Sequence, residues 1–166
     1  MLYVHAFNTP WGRICSAATD SGLSILTLPG TRRSVFERQV ERCFSGWHIE
    51  SGGTENERLE KQVLAYFAGT LREFSLKLDT IGTSFQRCVL SAVAQIPYGK
   101  TRTYGEIAQQ IGNPNAARAV GAANGSNRLP LVIPCHRVVA GNGIGGYAGG
   151  RTVKERLLRL EGALML

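Results

Sequence analysis

From Thr83 onward the chain is repeatedly broken by glycine and proline. The breaks are Pro97-Tyr98-Gly99, Gly112-Asn113-Pro114, Pro134 and a glycine-dense stretch from Gly141 to Gly150. Proline removes a backbone donor and clashes with the preceding turn, and glycine ends helices at little steric cost. Only short helices fit between such breaks, and helix-start signals stand where they are needed. Thr83 and Gln86 form a capping box for a helix carrying Phe85, Val89, Val93 and Ile96. Thr103 and Glu106 do the same for a helix with Ile107, Ala108 and Ile111. Asn115 is placed to cap a helix from Ala116 to about Asn124. Leu131-Val132-Ile133 reads as a short buried segment leading into Cys135. Thr152 and Glu155 cap a last helix with Val153, Leu157 and Leu158, ended by Gly162.

The first half reads as strands followed by helix. Leu2 to Phe7, Ile14 to Ala18 and Leu23 to Leu28 are β-prone runs, separated by the turns Thr9-Pro10-Trp11-Gly12 and Asp20-Ser21-Gly22. Val35, Phe36, Gln39, Val40, Cys43 and Phe44 then recur at helical spacing. Thr54 with Glu57 makes a capping box ahead of Leu59, Val63, Leu64 and Phe67, and Gly69 stops that helix. No chemical motif stands out here, so this half reads as a scaffold. The polar stretch Leu76 to Gly82 is the junction, with domains at 1–78 and 79–166. The expected fold is an α/β domain, with a small antiparallel sheet plus helices, followed by a mainly α domain.

Hydrophobic content of 43% and charged content of 19% fit a soluble globular protein. No apolar run approaches a membrane span, and Met1-Leu2-Tyr3-Val4-His5 lacks the basic start and apolar core of a secretory signal. A cytoplasmic location is expected, or nuclear in a eukaryotic source. The net charge of +7 is uneven: residues 1–78 carry +1 and residues 79–166 carry +6. A basic half points to a polyanionic partner, most often nucleic acid.

The two short helices between Thr103 and Asn124 form a helix-turn-helix pattern. The second is unusual, because Ala116, Ala117, Ala119, Gly121, Ala122 and Ala123 are all small. Only Arg118 projects a long charged side chain. A helix that reads the major groove carries several base-reading side chains. This one suits a narrow groove, with sequence-tolerant minor-groove contact and backbone amides near the helix start facing phosphate.

Pro134-Cys135-His136-Arg137-Val138 pairs a sulfur nucleophile with a base that titrates near neutral pH. Adjacent side chains on a strand point apart, so coupling them requires a turned backbone or a bridging water; Pro134 favours the turn. A carboxylate is needed to hold the imidazole. Asp79, Glu106, Glu155 and Glu161 are the only acids after residue 78, and Glu161, at the end of the last helix, is the choice. Gly141-Asn142-Gly143-Ile144-Gly145-Gly146 fits a dinucleotide fingerprint, but no strand-loop-helix unit surrounds it. It reads instead as a loop whose backbone lines a pocket for a flat ligand, with Tyr147 as an aromatic wall. Cys15, Cys43, Cys88 and Cys135 show no disulfide or zinc spacing, and a metal set drawn from His5, Cys15, Cys43 and His48 matches no standard pattern.

Together these residues resemble the O6-alkylguanine-DNA alkyltransferases. The resemblance is carried by Phe85-Gln86, Ile96-Pro97-Tyr98-Gly99, Thr103-Tyr104, Gly112-Asn113-Pro114, Ala116 to Gly121, Ile133 to Val138, Gly146-Tyr147-Ala148-Gly149-Gly150 and Glu161-Gly162. It is dense from about residue 80 and thinner before, as in Tyr66-Phe67-Ala68-Gly69. It implies a ribonuclease-H-like first domain and a winged-helix-like second domain. It also implies stoichiometric, irreversible repair: minor-groove binding, flipping of the damaged guanine, and transfer of its alkyl group to Cys135. Activity on alkylated thymine is left open. His136, through a water and steadied by Glu161, would be the base. Tyr104 would rotate the nucleotide and protonate guanine N3, Arg118 would fill the gap in the base stack, and Asn127 would fix the loop bearing the cysteine. Asn113, Ala119 and Gly121 would lie against DNA. The Val138 carbonyl, Tyr147, the Ala148 amide and Gly149 would line the base pocket. Ala148 stands where several relatives have serine. The implied partner is double-stranded DNA containing alkylated guanine, bound by a monomer, with cooperative binding along DNA left open. No cofactor and no metal are implied.

Overall fold

The computed structural model describes residues 1–164, which divide into two compact units, Met1–Ile81 and the described residues from Gly82 onward. The division falls a few residues beyond the junction read at 78/79. Asp79 belongs with the first unit, where its carboxylate accepts a hydrogen bond from Thr19 Oγ1.

In the first unit, strands β1 (Leu2–Thr9), β2 (Gly12–Thr19) and β3 (Gly22–Leu26) form an antiparallel meander. Helix α1 (Arg33–Phe44) then crosses one face and returns the chain as β4 (Ile49–Ser51), which pairs parallel to β1. The sheet is therefore mixed, in the order β3-β2-β1-β4, and not purely antiparallel. A helical crossover brings a strand back in the same direction, and that sets the parallel pair. Phe36, Val40 and Phe44 of α1 pack on Leu2, Cys15, Ala17 and Ile25.

Helix α2 (Thr54–Phe67) covers the other face, anchored by the fully buried Asn56. Its Oδ1 accepts from Ser16 Oγ at 2.8 Å, and its Nδ2 donates to the Tyr3 and Gly52 carbonyls. The capping box expected of Thr54 and Glu57 does not form: Thr54 is already helical, and Gly53 occupies the cap position with φ +94°. A Cβ there would lie 2.7 Å from the Tyr3 Cβ, so close approach to β1 selects glycine over a capping side chain.

The second unit holds helices α3 (Ser84–Ala94), α4 (Tyr104–Gln110), α5 (Ala117–Gly125) and α6 (Arg151–Leu160). Both capping boxes at the starts of α3 and α4 are formed, Thr83 with Gln86 and Thr103 with Glu106. Two expected caps are not. Asn115 does not cap α5; a turn closed by Ala116 N–H donating to the Asn113 carbonyl leads in, and the helix starts at Ala117 with no side-chain cap. Thr152 and Glu155 do not cap α6, which starts two residues earlier than such a cap would set, at Arg151 behind Gly150 at φ +91°. Glu155 instead accepts from Arg151 Nε across one turn at 2.9 Å. A short parallel pair, β5 (Arg102–Thr103) with β6 (Val138–Val139), ties the start of α4 to the chain just after Cys135. Among the described residues no helix is long and apolar enough to cross a membrane, and no three His, Cys, Asp or Glu side chains are grouped to hold a metal ion.

Candidate active site

Cys135, His136 and Arg137 form a single 3-10 turn, with Arg137 N–H donating to the Pro134 carbonyl at 2.9 Å. The turned backbone that Pro134 suggested is thus present, and all three side chains are buried. The Leu131-Val132-Ile133 segment is not extended; Leu131 has φ +71°, in the left-handed region a branched residue rarely adopts. Asn127 holds this stretch from both ends, its Nδ2 donating to the Ile133 carbonyl at 2.9 Å and its Oδ1 accepting from Leu129 N–H at 3.0 Å.

His136 Nε2 lies 2.8 Å from Glu161 Oε1. Arg137 grips the same carboxylate with Nε to Oε2 at 2.9 Å and Nη2 to Oε1 at 2.8 Å, while its Nη1 donates to the Ile96 carbonyl. Burial alone would raise the Glu161 pKa. Hydrogen bonds from His136 and Arg137, and the Arg137 charge, outweigh it and bring the pKa from 4.5 to about 2. Burial lowers the His136 pKa below its ordinary 6.5, against the pull of Glu161, so the ring is neutral at pH 7. With the Nε2 proton directed to the carboxylate, Nδ1 carries the lone pair of a base; it is buried and has no hydrogen-bond partner among the described residues.

Cys135 Sγ lies 3.7 Å from Tyr147 Oη. Burial pushes its pKa up, against stabilisation by Asn127, Tyr147 and the Lys154 charge. The resting thiol is therefore protonated and depends on a base for activation. Tyr104 opens α4, and its ring passes close to two glycines: a Cβ at Gly121 would sit 3.7 Å from the ring and one at Gly145 3.4 Å. Burial, then the Cys135 charge, raises the Tyr104 pKa, so it stays a proton donor. Arg118, Asn113 and Ala119 are exposed, as are Ala148 and Gly149 in the glycine loop; Val138 is fully buried.

The second domain resembles an already described one. Residues 84–163 match the family described as 6-O-methylguanine DNA methyltransferase, DNA binding domain. A Methanosarcina acetivorans protein named methylated-DNA--protein-cysteine methyltransferase is 41% identical and covers 98% of this chain and 99% of its own length. The chain belongs to this methyltransferase family. A relative of the same name from Mycolicibacterium paratuberculosis is 47% identical over 86% of the chain and 88% of its own length. The Mycobacterium tuberculosis OGT, solved in complex with DNA, superposes with a TM-score of 0.82 at 40% identity, covering 97% of this chain and 93% of that one.

Sequence reasoning missed three residues of this methyltransferase site. Arg137 stands within the Pro134–Val138 motif with no role marked, and Asn124 stands at a helix end. Lys154 belongs to no motif, yet it is fully buried. Its Nζ donates to the Val138 carbonyl at 2.6 Å and the Gly146 carbonyl at 3.1 Å, and lies 5.9 Å from the centre of the Tyr147 ring. Burial lowers its pKa from 10.5 to about 8, against the attraction of Cys135. The sequence did hold a signal: Lys154 shares a helix face with Leu157 and Leu158. Lys154→Met fills the same space but takes the ammonium donor from the buried Val138 carbonyl and from the Gly146 carbonyl of the glycine loop. Alkyl transfer is expected to slow by roughly tenfold or more, read as the rate of mass gain on a modified substrate. An unchanged rate would show that the lysine only fills space.

Proposed function

We propose that this methyltransferase removes the alkyl group from O6-alkylguanine in duplex DNA by transferring it, once and irreversibly, to Cys135. The observation that carries the reading is a buried thiol beside a neutral imidazole, whose Nε2 is tied to Glu161 and whose Nδ1 is free to accept. The thiol proton passes through a water to His136 Nδ1, and the resulting imidazolium is stabilised by Glu161. The thiolate attacks the alkyl carbon, a sulfur–carbon bond forms, and the carbon–O6 bond breaks. Tyr104 donates a proton to guanine N3 as the base leaves. A thioether is a poor leaving group, so one chain acts once.

DNA enters through the helix-turn-helix of α4 and α5. The first amides of α5 have no side-chain cap and are available to a phosphate, with Asn113 in the preceding turn. The small residues Ala119 and Gly121 let the helix approach a minor groove, and the exposed Arg118 fills the stack after the guanine has flipped. The base lies against the Val138 carbonyl, Tyr147, the Ala148 amide and Gly149. Val138 O already accepts from Lys154, and its second lone pair serves the base. The protein acts as a monomer without a cofactor. The strand order β3-β2-β1-β4, with β4 parallel to β1, supports a ribonuclease-H-like scaffold, and the α3–α5 cluster supports a winged-helix-like reading of the second unit.

The deciding experiment is intact-protein mass spectrometry after incubation with duplex DNA containing one O6-methylguanine. The expected result is one methyl group per chain, at Cys135, saturating there. Tight lesion binding without mass gain would overturn transfer and leave a recognition protein. Arg118→Ala is expected to slow repair of duplex DNA by roughly tenfold or more while sparing reaction with free O6-benzylguanine, since base flipping costs a few kcal/mol only in a duplex. Equal losses on the two substrates would show that Arg118 acts outside flipping.

A further inference from the structure

Two buried acceptor atoms near Cys135, Asn124 Oδ1 and His136 Nδ1, meet no donor among the described residues. Asn124 lies near the end of α5, 6% exposed, and its Nδ2 donates to the Cys135 carbonyl at 3.1 Å. That carbonyl belongs to the peptide joining Cys135 to His136, so the Asn124 amide and the imidazole flank one peptide unit. Buried polar atoms without partners are rare in folded proteins, and two beside one turn call for a shared donor. One water has two hydrogens to give and a lone pair left over.

We propose that Asn124 is a positioning residue for alkyl transfer: its nitrogen fastens the Cys135 peptide to α5, and its oxygen joins His136 Nδ1 in holding the water that takes the thiol proton. With both water hydrogens occupied in this way, the lone pair faces the cysteine. The Cys135 S–H proton moves to the water oxygen as the water passes one of its own protons to Nδ1. The water is restored, and the products are a thiolate and an imidazolium whose Nε2–H stays on Glu161. The same side chain fastens the helix that bears Arg118 to the reacting turn. The titratable and charged groups around this turn are His136 and Arg137 within it, Tyr104 on α4, Tyr147 in the glycine loop, and Lys154 and Glu161 on and just after α6. Asn124 carries no charge and shapes the path between them.

The inference rests on Cys135 being the alkyl acceptor. The test follows benzyl transfer from free O6-benzylguanine by intact mass, from mildly acidic to mildly alkaline pH, for the unsubstituted chain, Asn124→Leu and Asn124→Asp. For Asn124→Leu the rate at neutral pH is expected to fall roughly tenfold and the rate–pH curve to move up by about one unit, because the thiol must then ionise without the aligned water. A merely structural role would lower the folded fraction and leave the curve in place. If the leucine variant fails to fold, Asn124→Asp keeps the shape. Its carboxylate opposes a thiolate, so its curve is expected to move up further. Curves that coincide with that of the unsubstituted chain would overturn the proposal alone. An unsubstituted chain that gains no benzyl group would overturn the reading of Cys135 and this proposal with it.

Discussion

Cys135→Ala is expected to gain no methyl group from O6-methylguanine DNA while still binding the lesion. The loss is complete, because no other thiol has the same surroundings. Cys88 is exposed, Cys43 is half-buried and Cys15 is buried in the first unit, where Thr27 Oγ1 is bonded to its amide. Among the described residues the solvent-inaccessible imidazole–carboxylate pair, His136 with Glu161, adjoins Cys135 and none of these three. The folded state survives, since the Cys135 amide and carbonyl bonds to Ile133 and Asn124 are made by backbone atoms that alanine retains. Intact mass and duplex-binding anisotropy read the two halves of this expectation. A methyl group on the alanine variant would move the assignment to another residue.

Glu161→Ala is the second large effect. The carboxylate accepts from His136 and twice from Arg137, and both it and the imidazole are inaccessible to solvent. Deleting it leaves a buried guanidinium with no counter-charge, which costs about 3–5 kcal/mol. Chemical denaturation should show that loss in the second unit. Glu161→Gln keeps one acceptor oxygen and should fall between the two. Acid has a related effect. The folded pKa of Glu161, about 2, lies below its ordinary 4.5. The unfolded chain therefore takes up a proton that the folded chain refuses, and the stabilisation present above pH 4.5 is lost as pH falls towards 2. His136 acts in the same direction at higher pH: its folded pKa is lowered, so acidification through its ordinary 6.5 already favours the unfolded chain. Denaturation midpoints of the unsubstituted chain against pH measure both steps, and the Glu161→Gln variant should lack the lower one.

Local patterns in the sequence were legible where local physics decides them. The three long strands and the six helices follow alternation, turn residues and helical spacing, and the Thr83 and Thr103 boxes form as their spacing requires. Ile49–Ser51 escaped because it is three exposed residues that become a strand only by pairing with β1. Arg102–Thr103 and Val138–Val139 escaped for the same reason, each depending on the other. The caps at Thr54, Asn115 and Thr152 failed where a glycine or a preceding turn fixes the chain's path before any side chain can cap it. In the site, the shortage of acids made Glu161 findable. Arg137, Asn124 and Lys154 were not, because their partners are backbone carbonyls or a carboxylate reached only after folding.

The position of α6 has a consequence for the order in which this protein becomes reactive. A ribosome makes Cys135 and His136 before it makes the helix that supplies Lys154 and leads to Glu161. Until that helix has emerged and docked, the imidazole has no carboxylate to hold it and the glycine loop has no ammonium to pin it. The newborn cysteine is an ordinary thiol during synthesis. It acquires its imidazole–carboxylate relay in the same step that completes the fold.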